Sequence, residues 1–322
     1  IVGSVWNQGD ELLTAARASA EYTTLLEFLA IESDQVRTWL HPERMLCKGS
    51  FNHEGTHPTN DDSATSASLL IGGKEIFIDA VFDGVSGHSG GWVASGIANE
   101  AFKIAAMAGW IRSPEDARMA VILADLRIHL EKEKYNEAYK TRRTVDGDRY
   151  NFYSMGTTVA ISYIDGYNFY GIHCGDSDWK IVRSGAVIAS SKAHGIGNTI
   201  FTGLGLGGQI GLSIQINNED TGYSPIQLKR RDRVMTVTDG IGDVICDHES
   251  LLLLGQYPDD TDARDALVEL ADDRSYNNGM FDRLFDCGCA KAGGKDDDKS
   301  ASIRSKLEQN RLTKLPILKT QD

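Results

Sequence analysis

Four short segments place acidic side chains at, or one step beyond, the end of a strand-like run. They are Asn60-Asp61-Asp62, Asp83-Gly84 after IFIDAVF, Asp239-Gly240 after VMTVT, and Asp296-Asp297-Asp298 before a final strand-like stretch. Asp and Gly also mark plain turns, and any one of these sites reads equally well that way. Four together mean more if the strands converge. Two carboxylates about 4 Å apart repel by roughly 4 kcal/mol at an effective dielectric near 20. Such a cluster raises its pKa values or binds cations. Hard oxygen donors without Cys or His favour magnesium, manganese or calcium over zinc. The Gly after Asp83 and after Asp239 lets a backbone carbonyl approach an ion, because no Cβ stands in the way.

Other patterns compete for attention. His53-Glu54-Gly55-Thr56-His57 matches the HExxH form of zinc proteases, which needs both histidines one turn apart on a helix. Gly55 inside the motif, Pro58 after it and turn-like flanks disfavour that helix, so a zinc metalloprotease is a remote alternative. GLGLGG at 203–208 satisfies GxGxxG, yet the following QIGLSIQI alternates like a strand and offers no helix N-terminus to a pyrophosphate. It reads as a mobile flap beside the active site. Cys287-Gly288-Cys289, with Cys246 and His248, are too irregularly spaced to favour a soft-metal site over ordinary semi-buried cysteines.

The totals narrow the partners. A formal charge of −13 over 322 residues disfavours nucleic acid and anionic membrane, whose phosphates need basic patches, and raises the question of bound cations. Apolar content of 41% and charge of 25% are those of a soluble globular chain. An odd count of five cysteines outlines no disulfide framework and points to a reducing, cytoplasmic compartment. No apolar run reaches membrane-spanning length. The opening IVGSVWNQGDE, without Met or a basic n-region, reads as a trimmed start.

Elements to position the acids follow from periodicity. Residues 10–45 read as one or two helices from the spacing of Leu12, Leu13, Ala16, Leu25, Leu26, Phe28 and Leu29. Strands are expected at MLCKGSF, SATSASLLI and EIFIDAVFD. Helices follow at about 91–110 and from Ser113, which caps Pro114-Glu115-Asp116. A meander comes next (TTVAISYI, YNFYGIHC, WKIVRSG), then an irregular stretch over 184–224 and the strand RVMTVTDG. Helices near 249–255, 261–274 and 277–286 precede a last strand from about Ser300. This order is α+β, with no βαβ alternation. The expected organisation is an N-terminal helical extension (1–44), one catalytic domain (45–308) and a basic tail (309–322).

The acidic segments resemble the signature motifs of the metal-dependent protein phosphatases, the type 2C serine/threonine phosphatases, in the family's order and rough spacing. NDDS at 60–63 is similar to N-E-D, and FDGVSGHSGGWVAS at 82–95 to the D-G-x-G-G-H segment, closest to bacterial members. MGTTVAISYI with HCGDSDWKIVR resembles the G-[ST]-T strand and G-D-S-R hairpin. DRVMTVTDGIGDV resembles D-x-x-L-L-x-S-D-G-x-W-D, and KDDDKSAS the closing D-[DN]-x-[TS].

The resemblance implies an antiparallel β-sandwich flanked by helices in four layers, α-β-β-α. It also implies hydrolysis of phosphoserine and phosphothreonine esters in proteins, by a water activated between two Mg2+ or Mn2+ ions. By position, Asp83 would bridge both ions, Gly84 would lend its carbonyl, and Asp239 and Asp297 would bind the second ion. Asp61 and Asp62 would hold ion-bound waters, and Asp176 would serve a third site. The implied catalytic set is Asp62, Asp83 and Asp239, with a phosphoprotein substrate; charge and hydropathy point to no nucleic-acid or membrane partner, and a monomer is favoured with the oligomeric state open. Two positions depart from the family. His57 stands where an Arg grips phosphate, a weaker contact than a guanidinium fork, and Val85 stands where animal members carry a His. Arg183 or Lys229-Arg230-Arg231 would be substitute cations. These departures keep open a catalytically impaired regulatory or binding module, against which the retained acids count.

Overall fold

A computed structural model of the chain describes residues 36–48, 60–85, 90–142, 149–196, 199–200, 202–207, 214–217, 224–276 and 298–306. Its strands are β1 (Val36–Leu40), β2 (Met45–Lys48), β3 (Asp62–Ile71), β4 (Lys74–Asp83), β5 (Val159–Asp165), β6 (Asn168–Cys174), β7 (Asp178–Arg183) and β8 (Ala186–Ser190). Short pairs β9 (Gly195–Ile196), β10 (Thr199–Ile200), β11 (Gln215–Ile216) and β12 (Ile226–Gln227) precede β13 (Arg233–Val237) and β14 (Lys299–Ser305). The helices are α1 (Gly91–Met107), α2 (Pro114–Tyr139), α3 (Asp239–Gly242), α4 (Asp247–Gln256) and α5 (Asp260–Tyr276).

Strand β9 pairs with β10, and the other twelve strands form two antiparallel sheets. One has seven strands in the order β1-β3-β4-β5-β6-β11, with β12 also on β6; the other has five, β2-β14-β13-β7-β8. Alternation along each strand decides the layering. In β4, Ile76, Ile78, Ala80 and Phe82 face a core shared with Phe102, Val121 and Ile128 of α1 and α2. On the second sheet, Met235, Val237, Ala301 and Ile303 pack on Leu254, Leu267, Val268 and Ala271 of α4 and α5. A third cluster, Phe169, Trp179, Ile164, Ile181 and Val234, fills the space between the sheets. Four layers, α-β-β-α, result, as the sequence implied.

The inter-sheet space is not uniformly apolar. Asp79 and Arg304 are 1% and 4% exposed. The Arg304 guanidinium forks onto Asp79, with Nε to Oδ2 and Nη2 to Oδ1 both at 2.7 Å. Ser66 donates to Asp79 at 2.6 Å, and Arg304 covers the Phe77 ring at 4.5 Å. Farther along, Ser162 of β5 and Thr236 of β13 join hydroxyls at 2.6 Å.

Helix α2 starts where the sequence places it. Ser113 is extended at φ −142°, its side chain accepts from Asp116 N at 3.1 Å, and Pro114 occupies the first turn. Replacing Ser113 with Ala is expected to cost about 1 kcal/mol, read as a shift in the midpoint of urea unfolding.

One expectation is corrected. Residues 36–44, assigned above to the helical extension, form strand β1 and a 3-10 turn at Pro42–Arg44. Strand β1 pairs with β3 from Val36↔Ile71 to Leu40↔Ala67, inside the sandwich sheet. The irregular stretch 184–224 likewise contains β8, which extends the second sheet. The rest of the helical extension, the helix at 277–286 and the basic tail lie outside the described residues.

Candidate functional site

The sheet register brings the acidic segments to one end of the sandwich. Asp62 opens β3 and Asp83 closes β4, and the two are direct cross-strand partners. On the facing sheet, β13 runs to Val237 opposite Asp178 of β7 and Ala301 of β14. Asp239 therefore follows β13, and Asp298 precedes β14, at that same end. Carboxylate oxygens of Asp83, Asp176 and Asp239 all lie within 4.8 Å of one another. Asp83 and Asp239 are buried, at 6% and 8% exposure.

Hydroxyls and backbone amides fix this end of the molecule. Thr238 Oγ1 donates to Asp62 Oδ2 at 2.9 Å and accepts from Ser300 N at 3.0 Å, tying β13, β3 and β14 together. Asn60 Oδ1 accepts from Asp62 N at 2.9 Å, and Asp298 Oδ2 accepts from Asp61 N. The Asp83 carbonyl accepts from Thr157 Oγ1 at 2.7 Å and from Thr158 N at 2.8 Å. Thr158 Oγ1 in turn meets Ser177 Oγ at 2.6 Å, steadying the turn between β6 and β7 that carries Asp176. Gly175 opens that turn at φ +101°, where a Cβ would also lie 2.6 Å from Thr158 Cβ.

The glycines after Asp83 and Asp239 have a reason the sequence did not reveal. A Cβ on Gly84 would lie 2.4 Å from the Gly91 carbonyl carbon, at the start of α1. One on Gly240 would lie 2.0 Å from the Asp298 carbonyl oxygen. Backbone meets backbone at both places, so any side chain would push the acidic segments apart.

Of the expected site residues, Asp62, Asp83, Gly84, Asp176 and Asp239 share this end. Asp297 and His57 lie outside the described residues, as does the 53–57 motif. The suggested substitute cations, Arg183 and the 229–231 run, lie away from this end. Arg183 ends β7 five residues beyond Asp178, roughly 16 Å away at 3.3 Å per residue, and its guanidinium forks onto Asp232. Lys229-Arg230-Arg231 precede β13 at that same far end. Of the 203–208 motif, Leu204 is buried and exchanges two backbone hydrogen bonds with Thr157, so this part is packed beside the site. The cysteine spacing outlines no disulfide framework, yet Cys246 is disulfide-bonded. Cys174 is free, and burial pushes its thiol up to about 12. No helix among the described residues is long and apolar enough to cross a membrane.

No protein-family model and no curated protein matches the chain. Solved structures do. The Mycobacterium tuberculosis serine/threonine phosphatase PstP/Ppp superposes with a TM-score of 0.56 at 17% identity, over 85% of this chain and 99% of that one. The photosystem II phosphatase PBCP matches at 0.55 and 17%, over 84% and 98%. The catalytic domain of PstP in complex with two manganese ions matches at 0.54 and 18%, over 85% and 99%. The chain thus has the fold of these phosphatases, across nearly their whole length.

Proposed function

We propose that the chain is a Mg2+- or Mn2+-dependent phosphatase acting on phosphoserine and phosphothreonine in proteins. The observation that carries this reading is the meeting of Asp83, Asp176 and Asp239 within 4.8 Å. Three mostly buried carboxylates so close repel by about 3 kcal/mol per pair at a dielectric near 20, and divalent cations would relieve that. The donor set fits such ions: carboxylate oxygens only, from separate segments of the chain.

In this reading Asp83, with the Gly84 carbonyl, Asp239 and Asp297, would hold two ions, and Asp176 would serve a third. Bound ions supply Lewis acidity and make water nucleophilic at neutral pH. The chain's own part is positional. Thr157 and Thr158 fix the Asp83 backbone, and Thr238 turns the Asp62 carboxylate so that Asp61 and Asp62 can orient water. His57 would touch the phosphate, more weakly than an Arg fork.

The test is hydrolysis of p-nitrophenyl phosphate and of a phosphothreonine peptide, with Mn2+, with Mg2+ and with chelator. Turnover that needs the metal and stops with chelator is expected. Turnover indifferent to chelator, or none with either ion, overturns the enzyme reading; manganese binding without turnover would leave the impaired regulatory module.

A further inference from the structure

Helix α2 carries two charged side chains that the proposed reaction does not use. Asp125 and Lys132 stand two turns apart on one helical face and are 1% and 9% exposed. Asp125 Oδ1 accepts from Gly205 N at 2.7 Å. Lys132 Nζ donates to the Gly205 carbonyl and, at 2.7 Å, to the Tyr153 carbonyl. Both backbone groups of one glycine are thus held by charged groups of a helix in the outer layer. His129 Nε2 lies 3.6 Å from Asp125. Burial, and then the Lys132 charge, push the His129 pKa down to about 4, so it is a neutral neighbour at pH 7.

Burying charge is expensive, and an apolar contact would pack a loop at lower cost. What lies beyond Gly205 gives the charges a purpose. Leu204 N reaches Thr157 O at 2.8 Å, and Thr157 N reaches Leu204 O at 2.9 Å. Thr157 Oγ1 then donates to the Asp83 carbonyl at 2.7 Å, and Val85 N donates to Gly156 O at 3.0 Å. Hydrogen bonds therefore link α2 to residues 83–85, through the Asp125 and Lys132 side chains at Gly205, backbone pairs between Leu204 and Thr157, and the Thr157 hydroxyl at Asp83. Gly205, at φ +79°, cannot carry a side chain here: a Cβ would lie 2.6 Å from Ile128 and 2.8 Å from Met155 O.

We propose that Asp125 and Lys132 are positioning residues for the candidate metal centre, fixing the Asp83–Gly84 backbone through Gly205, Leu204 and Thr157. The proposal rests on the metal-dependent reading of Asp83.

The test uses the full chain and two readouts: amide hydrogen exchange without metal, and Mn2+ affinity by titration calorimetry. Lys132→Met and Asp125→Ala are expected to speed exchange at Val85, Thr157, Thr158 and Leu204 about tenfold, the effect of one charge-assisted hydrogen bond. Met235 and Ile303, in the other sheet, keep their rates. Mn2+ affinity falls by a similar factor. Asp125→Asn, which keeps an acceptor for Gly205 N–H, recovers most of what Asp125→Ala loses. Leu267→Ala, in the core under α5, lowers the melting temperature but leaves Mn2+ affinity within about twofold, which separates positioning from general destabilisation. Unchanged exchange at the four amides in Lys132→Met overturns the proposal. So does an affinity loss in Leu267→Ala equal to that in Lys132→Met. Should Lys132→Met not fold, the Asp125→Ala and Asp125→Asn pair decides by the same readouts. If the unaltered chain binds no Mn2+, the metal reading fails separately, and exchange alone decides whether α2 orders residues 83–85.

Discussion

Asp239→Asn is expected to lower Mn2+-dependent turnover of p-nitrophenyl phosphate at least about a thousandfold, while raising the melting temperature in chelator. Loss of an anionic oxygen ligand removes several kcal/mol of transition-state stabilisation, and a thousandfold corresponds to about 4 kcal/mol. The stability effect has the opposite sign. With no metal bound, Asp239 faces Asp83 and Asp176 within 4.8 Å, and the neutral amide removes two repulsive pairs of about 3 kcal/mol each, before relaxation and screening reduce them. Steady-state kinetics with Mn2+ and calorimetric melting in chelator read the two effects independently. A variant that lost activity and apo stability together would point to a structural aspartate, and the metal centre would lose its main support.

The opposed signs reflect what the sequence could and could not reveal. Asp62, Asp83 and Asp239 were legible because each sits beside a strand, and strands have a period readable over a few residues. Long helices were legible for the same reason, α2 down to its Ser113 cap. Strand β1 was missed because VRTWL is five residues long and follows a run with helical spacing. What makes it a strand is pairing with β3, whose partner positions are some 30 residues away. The supports of the site were invisible on the same principle. Thr238 acts on Asp62 across 176 positions and Arg304 on Asp79 across 225, and no local spacing encodes such a pairing. Gly84 and Gly240 were noticed as glycines but read for ion access, whereas the structure adds a steric need set by Gly91 and Asp298. The Cys246 bond is a further case, since an odd count of irregularly spaced cysteines gives no pairing rule.

The largest stability effect is expected at Arg304→Leu, between the sheets and away from the candidate metal centre. Removing one partner of a buried ion pair leaves an uncompensated charge and costs about 3–5 kcal/mol. Asp79 would keep the Ser66 hydroxyl at 2.6 Å and the more distant attraction of Arg44, neither of which replaces a two-point fork. The pH dependence identifies the cause. Burial alone would raise the Asp79 pKa, but the charge and hydrogen bonds of Arg304, with Ser66, outweigh it and hold the pKa below the ordinary carboxylate value. In the unaltered chain, then, the folded pKa lies below the unfolded one. The contribution of Asp79 is present above the unfolded pKa, near 4, and is lost as pH falls through the folded value. Without Arg304 burial dominates and the folded pKa rises above the unfolded one. The deficit of the variant is then greatest at neutral pH and shrinks as pH falls towards 4, where the carboxyl takes up a proton in both states. Urea unfolding of both proteins at pH 7, 6 and 5 measures this. A deficit independent of pH would assign the loss to the missing packing over Phe77, not to the stranded charge of Asp79.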